Sequence, residues 1–336
     1  MLLEDVLPEG WWFDNPWYAA GLALIYSYVS IFIANQVFGA NPGIVSVTFL
    51  TLFLLPSIAL IRSQSLRLDE QAWWEKYFGP MHLTKAYSAY FLGTFSAYLS
   101  IGFLLPLFGI NVVEIVKEQL LLLPAFTGAA SFQFNTFVTI FSNNWFVLFL
   151  VFLFAVLWKD GGMFFVQWNA SAWGAVFGFR AVGAAAAAGT NPWYYLGIEM
   201  SQVIWHVLIE GGAYILAAVS GSIIGRHAYT GEEPPVRFIA SVVGLFSVTF
   251  GAKTVLESLP IPLTAATLIG IVIFTLAAYL LRNGLTQSEK QFKEGLLVFL
   301  VSLAMFAVGA VVETFVLENS TSLETIYDYS NMFIRS

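Results

Sequence analysis

The sequence predicts an all-α, polytopic membrane protein with about eight or nine transmembrane or re-entrant segments and additional amphipathic helices in the membrane interface. The first observation is composition, because 58% of the 336 residues are hydrophobic and only 10% are charged, whereas soluble domains carry about 25% charged residues. The second observation is a series of apolar runs of about 20 residues, the length that an α-helix needs to cross a bilayer. The connectors between these runs are too short to form a separate soluble domain.

The scarce residue types exclude several kinds of site. The chain contains no cysteine and only three histidines, so a disulfide, an iron–sulfur cluster or a thiolate zinc site is impossible. We therefore expect no cofactor and no catalytic metal. A net charge of −7 with scattered basic residues also argues against nucleic acid as a partner. Membrane lipids and other membrane proteins remain as the expected partners.

The apolar runs define nine candidate membrane segments. They are 18–38, 43–62, 87–110, 145–158, 161–180, 197–224, 237–257, 262–281 and 294–317. Residues 145–158 are short for a span and are followed by "KDGG" at 159–162, so this region is either one kinked helix or two segments with a turn. With the turn and an internal N-terminus, ten of the 14 basic residues fall inside, as the positive-inside rule expects. We therefore predict the turn, although a pair of re-entrant segments would satisfy the same count.

Two connectors are predicted to be amphipathic. Residues 63–86 form a cytoplasmic linker, and residues 111–142 are interpreted as helices in the outer interface. A tenth span at 111–142 is possible but would upset the distribution of basic residues. Asn143 and Asn144 stand at the mouth of the next apolar segment, where asparagine is a preferred N-cap. Glu313 is expected in the interface at the outer end of the last span.

The segment "IWHVLIEGGAYILAAVSGSIIG" (204–225) carries His206 and Glu210 one helical turn apart. A stripe of small residues continues on the same face. The polar half of the stripe contains Glu199, Gln202, His206 and Glu210, and the small half contains Ala213, Ala217, Gly221 and Gly225. Small residues at this spacing let another helix approach closely. The ionisable pair is therefore predicted to face protein or a water-filled cavity, since exposure to lipid would be costly.

A second small-residue stripe lies in "VQWNASAWGAVFG" (166–178), where Ala170, Gly174 and Gly178 accompany Asn169. A buried asparagine needs hydrogen-bonding partners. We predict one buried polar cluster that contains Asn143, Asn144 and Asn169 together with Glu199, His206 and Glu210. Such a cluster is either structural, holding helices together, or a site for a proton or an ion.

The ordered segments "SNNWFVLFLVFLFAVL", "WNASAWG" and "WHVLIEGGAYILAAVSGSIIG" resemble the stage II sporulation protein M (SpoIIM-like) family of integral membrane proteins. The likeness covers roughly residues 87–226, between an N-terminal two-span region with its linker (1–86) and a C-terminal three-span region (227–336). The family's motif residues correspond to Asn143, Asn144, Asn169, His206 and Glu210. Two departures are Ala170 and Val207, which stand where the family often has glycine.

The resemblance implies a non-enzymatic protein of the cell membrane that acts as a scaffold or component of a membrane complex. Its implied partners are further copies of itself, other membrane proteins, or both, since the sporulation member works with peptidoglycan-cleaving partners. The residues themselves leave open a proton- or ion-coupled transporter or channel that uses His206 and Glu210. An intramembrane enzyme is disfavoured because the sequence offers neither a nucleophile motif nor enough metal ligands.

Overall fold

A computed structural model describes residues 15–38, 41–65, 75–113, 115–120, 134–225, 235–259, 261–286 and 288–319. Every regular element within these ranges is a helix, which confirms the all-α prediction. The long helices are α1 (Pro16–Val37), α2 (Pro42–Ser65), α4 (Met81–Leu107), α6 (Phe134–Trp158), α7 (Gly162–Ala188), α8 (Pro192–Ile224), α9 (Pro235–Ser258), α10 (Leu263–Leu280) and α12 (Glu289–Asn319). The short ones are α3 (Glu75–Phe78), α5 (Lys117–Leu120) and α11 (Arg282–Leu285).

Eight of the described helices are long and apolar enough to cross a membrane, namely α1, α2, α4, α6, α8, α9, α10 and α12. The chain is therefore a multi-pass membrane protein. The remaining long helix, α7, packs against α4, α6 and α8. Its polar residues Gln167, Ser171 and Arg180 are buried. Because these side chains face protein, α7 can be less apolar than the other long helices.

Contacts between the helices show that their directions alternate along the chain. Helix α8 runs parallel to α6, because Glu210 contacts Asn144 and, further along, Gly225 approaches the backbone of Val156. Contacts of the same kind orient α1, α4, α7, α9 and α12 in one direction and α2, α6, α8 and α10 in the other. This alternation is the pattern that nine successive crossings require.

The turn predicted at "KDGG" is confirmed, since α6 ends at Trp158 and α7 begins at Gly162. Lys159 adopts φ 58° in the left-handed region, which reverses the chain within a few residues. Asp160 is buried in this turn, pairs with Arg62 at the end of α2, and accepts a hydrogen bond from the Tyr87 hydroxyl at 3.4 Å. The ion pair therefore fixes the α6–α7 turn against two neighbouring helices.

Helix α6 is longer than predicted, because it begins at Phe134 and not near residue 145. Asn143 and Asn144 consequently lie in the middle of α6 and do not cap it. The physical reason is that Ser142 and Asn144 contact other helices, so the helix continues through them. Ser142, for example, is buried and hydrogen-bonds Thr267 of α10 at 2.5 Å. Within the predicted interfacial stretch 111–142, residues 121–133 lie outside the described ranges, as do 66–74 of the predicted cytoplasmic linker.

The small-residue stripes lie at close contacts between helices. These stripes contain Gly174 and Gly178 on α7 and Ala213, Ala217, Gly221 and Gly225 on α8. A Cβ on Gly178 would lie only 2.8 Å from the backbone nitrogen of Phe103 on α4, and one on Gly225 would lie 3.0 Å from the carbonyl carbon of Val156 on α6. Ala213 and Ala217 are fully buried. The backbones of α4 and α7, and of α6 and α8, are thus in direct contact.

Candidate functional site

Helix α8 carries the ionisable pair that the sequence singled out. The helix begins after Asn191, whose side chain accepts the backbone N–H of Trp193, and Pro192 occupies its first position. Both residues are favoured at a helix start. The 33-residue length of α8 places His206 and Glu210 near its centre. Both side chains are buried, with His206 Nε2 3.2 Å from Glu210 Oε2.

Glu313 of α12 is the third member of this cluster. Its Oε2 lies 3.7 Å from Nδ1 of His206, and the residue is only 7% exposed. The expected depth of Glu313 in the interface stays a prediction, but its side chain packs against protein. The reason is the close approach of α12 to α8 at Gly309, one turn earlier, where a Cβ would already be 3.5 Å from the Cβ of Glu210. The backbone of Gly309 also hydrogen-bonds the imidazole of His206.

Two hydrogen bonds fix the register of α12 on α8. The Ser302 hydroxyl donates to the carbonyl oxygen of Ala213 at 2.7 Å, and the Ser220 hydroxyl donates to that of Gly295 at 2.6 Å. These side chains satisfy their polar groups across the helix contact, as hydroxyls in membrane helices commonly do. The register that they set brings Glu313 opposite His206.

The second carboxylate oxygen of Glu210 is held by neighbouring side chains. Its Oε1 accepts hydrogen bonds from the Tyr214 hydroxyl at 2.6 Å and from Nδ2 of Asn144 on α6 at 3.2 Å. Trp173 of α7 covers the cluster, with ring centroids 5.6 Å from His206 and 6.2 Å from Tyr214. Four helices, α6, α7, α8 and α12, thus contribute side chains to one buried site.

The three ionisable side chains of the site face one another. One possible ligand atom from each of His206, Glu210 and Glu313 lies within 4.8 Å of the others. Two carboxylates and one imidazole carry an excess of negative charge unless protons or a cation neutralise them. Because uncompensated charge is costly away from water, this arrangement is chemically suited to hold protons or a cation.

The structure places other predicted members of the cluster elsewhere. Glu199 pairs with Arg180 of α7, with an Oε1–Nη1 distance of 3.3 Å and both side chains fully buried. Arg180, the last residue of the predicted segment 161–180, lies within α7, which continues to Ala188. Asn169 donates to the carbonyl oxygen of Phe165 in its own helix at 2.8 Å. The side chain of Asn143 lies outside the described part of the structure.

Sequence reasoning missed Glu313, Tyr214 and Trp173. Tyr214 could have been found, because it follows Glu210 by four residues and therefore shares its helix face. For Glu313, the available signal was Gly309 four residues earlier, since glycine marks places where membrane helices approach closely. Trp173 gave no signal, because an aromatic residue in a membrane helix is as common against lipid as against a site.

No protein-family model, curated protein or solved structure matches this chain. The resemblance to the SpoIIM-like family therefore rests on the three sequence segments. In the structure these segments are parts of α6, α7 and α8. They form one packed unit in which Asn144 of the first segment, Trp173 of the second and Glu210 of the third surround the same site.

Proposed function

We propose that this chain is a cell-membrane protein that acts as a component of a membrane complex, with the role of a scaffold and not of an enzyme. It assembles with further copies of itself, with other membrane proteins, or with both. The observation that carries this proposal is the packing of the three SpoIIM-like segments into one core. The three segments that carry the likeness thus lie together in this fold.

The helix contacts in this core favour a rigid scaffold over a carrier that changes shape. Gly221 and Gly225 bring α8 against the backbone of α6, and Gly174 and Gly178 bring α7 against that of α4. Helices packed this closely cannot slide past one another without losing many contacts at once. A protein that holds partners in place benefits from such rigidity.

The mass of the native assembly tests this proposal. The tagged chain is extracted from its own membranes in a mild detergent, and the protein mass of the complex is measured by light scattering. We expect a mass clearly above the 37.1 kDa of one chain. Co-expression of two differently tagged copies then separates self-assembly from assembly with other proteins. Recovery of single chains only, with no cross-linked partner in intact cells, would refute the proposal.

A second candidate function is a proton- or ion-coupled transporter or channel. It is favoured by the buried cluster of His206, Glu210 and Glu313, because ionisable residues within membrane segments often mark ion or proton pathways. Purified protein in liposomes that contain a pH-sensitive dye tests this function directly. Glu210→Gln keeps a carbonyl oxygen for Tyr214 and Asn144, so the scaffold proposal predicts an unchanged assembly mass. A pH-driven flux that this variant abolishes would instead favour the transporter.

A further inference from the structure

The centre of the His206–Glu210–Glu313 cluster contains nitrogen and oxygen atoms that make no hydrogen bond. Within the described ranges, these atoms are Nδ1 of His206, Oε2 of Glu210 and Oε2 of Glu313. The three residues are only 4%, 1% and 7% exposed. Buried polar atoms in native proteins nearly always have a partner. Apart from ion-pair contacts within the cluster, these three buried atoms have no protein partner in the described ranges, which suits them to bind a ligand.

The charge of the cluster matches a divalent cation. Two carboxylates and a neutral imidazole carry two negative charges, which one divalent cation cancels completely. Protons would achieve neutrality only if two of them were bound, either one on each glutamate or one on the imidazole and one on a glutamate. In a site shielded from water, the neutral state is strongly favoured.

The donor atoms suit a transition metal better than magnesium or calcium. Imidazole nitrogen is a preferred ligand of zinc and iron, and carboxylate oxygen is accepted by zinc and manganese as well. Calcium takes six to eight oxygen ligands, more than these three side chains supply. At metal–ligand distances of about 2.1 Å, two ligands across a tetrahedral angle lie about 3.4 Å apart.

The distances in the cluster are close to that requirement. Nε2 of His206 lies 3.2 Å from Oε2 of Glu210, and the opposite ring nitrogen, Nδ1, lies 3.7 Å from Oε2 of Glu313. When each residue supplies a single ligand atom, the three atoms lie within 4.8 Å of one another. Three protein ligands would leave at least one position for water, as in many zinc sites.

The surroundings also resemble the outer shell of a metal site. Tyr214 and Asn144 hold Oε1 of Glu210, which leaves Oε2 directed toward the other two residues. The backbone of Gly309 hydrogen-bonds the imidazole. Such partners orient metal ligands and are needed for full affinity. Asn144 is therefore a positioning residue, because it orients the carboxylate of Glu210 and does not bind the ion itself.

We propose that His206, Glu210 and Glu313 bind one divalent transition-metal ion such as Zn²⁺ or Mn²⁺. The ion joins α8 to α12 and so fastens the C-terminal region to the SpoIIM-like core. This site goes beyond the proposed function, because a scaffold can assemble with or without a bound metal. Metal binding and assembly mass are separate measurements, so each proposal can fail alone.

Metal binding by the full purified chain tests the proposal. The protein in detergent is stripped with a chelator, dialysed against Zn²⁺ or Mn²⁺, and analysed for bound metal by mass spectrometry of the elements. We expect one ion per chain and a higher thermal unfolding temperature, because a ligand that binds only the folded state stabilises it. Glu313→Gln and His206→Ala should each weaken binding at least tenfold. Asn144→Ala should weaken it by about tenfold or more, as other outer-shell substitutions do.

Matched controls are His82→Ala and Glu289→Gln, which remove the same residue types outside the cluster and should leave binding unchanged. The proposal is overturned if folded wild-type protein, shown by helical circular dichroism and a single elution peak, binds no ion. It is equally overturned if Glu313→Gln binds as tightly as wild type, since the ion would then be adventitious. If Glu313→Gln does not fold, Glu313→Asp replaces it. This variant keeps a carboxylate at a shorter reach, so measurably weaker binding supports the site and unchanged affinity overturns it.

Discussion

The contact of α8 with α6 at Gly221 offers a sharp test of the packing argument. A Cβ added at Gly221 would lie less than 3.0 Å from the carbonyl oxygen of Phe152 and 2.9 Å from the backbone nitrogen of Val156. Because both atoms belong to the α6 backbone, no side-chain rotation relieves the clash. Gly197 lies in the same helix, and a Cβ added there meets nothing within 4 Å. Gly221→Ala and Gly197→Ala are therefore the same substitution with opposite surroundings.

Two effects decide how much each substitution changes the free energy of unfolding. Replacing glycine by alanine inside a helix stabilises that helix by about 1 kcal/mol at either position. Overpacking of a close contact costs about 1–3 kcal/mol, and the upper half of that range applies where backbone must move. We therefore expect Gly221→Ala to lower the free energy of unfolding by about 1–2 kcal/mol. Gly197→Ala should leave it unchanged or raise it by up to about 1 kcal/mol.

Thermal unfolding in detergent, followed by the fluorescence of the 11 tryptophans, measures both variants. A change of 1 kcal/mol corresponds to about 2–4 °C in Tm for a chain of this order of size. Gly221→Ala should therefore unfold at least about 3 °C below Gly197→Ala. Equal Tm values, or a lower value for Gly197→Ala, would refute the claim that backbone contact at Gly221 holds α6 and α8 together.

Three further variants test other parts of the described structure by the same unfolding measurement. Glu199→Gln removes the buried carboxylate that pairs with Arg180 and should cost about 3–5 kcal/mol. A second change, Arg180→Met, should recover part of that loss, and no recovery would contradict this reason. Tyr214→Phe removes the 2.6 Å hydrogen bond to Glu210 and should cost about 1–3 kcal/mol, and combining it with Glu210→Ala should cost less than the sum of the two. Ser302→Ala removes one hydroxyl bond between α12 and α8 and should cost only about 0.6 kcal/mol, so a loss several times larger would show that register depends on this single bond.

The positions of the membrane helices were largely predictable from the sequence, because the bilayer imposes its thickness on every span. Each of the nine predicted segments coincides with a long helix, and "KDGG" forms the predicted turn. Helix α6 was predicted to be too short because Ser142, Asn143 and Asn144 look like a helix boundary. A membrane helix can continue through polar residues that face protein, and hydropathy along the chain does not show which face is covered by protein.

The candidate site was predictable mainly for the members that belong to one helix, with Asn144 of α6 as the exception. His206 and Glu210 share a face through helical periodicity alone, and the small residues after them marked that face as a contact. Asn144 was named as a possible partner of this pair, and the structure shows its hydrogen bond to Glu210. Asn169 and Glu199 are likewise polar residues within apolar segments, but their partners lie elsewhere. Asn169 donates to a carbonyl oxygen of its own helix, and Glu199 pairs with Arg180 of α7.

Composition and periodicity alone predict the helical membrane class, the approximate spans, the turn at "KDGG" and the shared face of His206 and Glu210. These properties are local, because they follow from chain composition and from the 3.6-residue period of the helix. Only the tertiary structure decided which helix faces that pair. Gly309 and the two serine hydrogen bonds set α12 against α8 in a register that brings Glu313 to His206. A contact between residues more than 100 positions apart depends on how whole helices pack, and no periodicity within one helix encodes it.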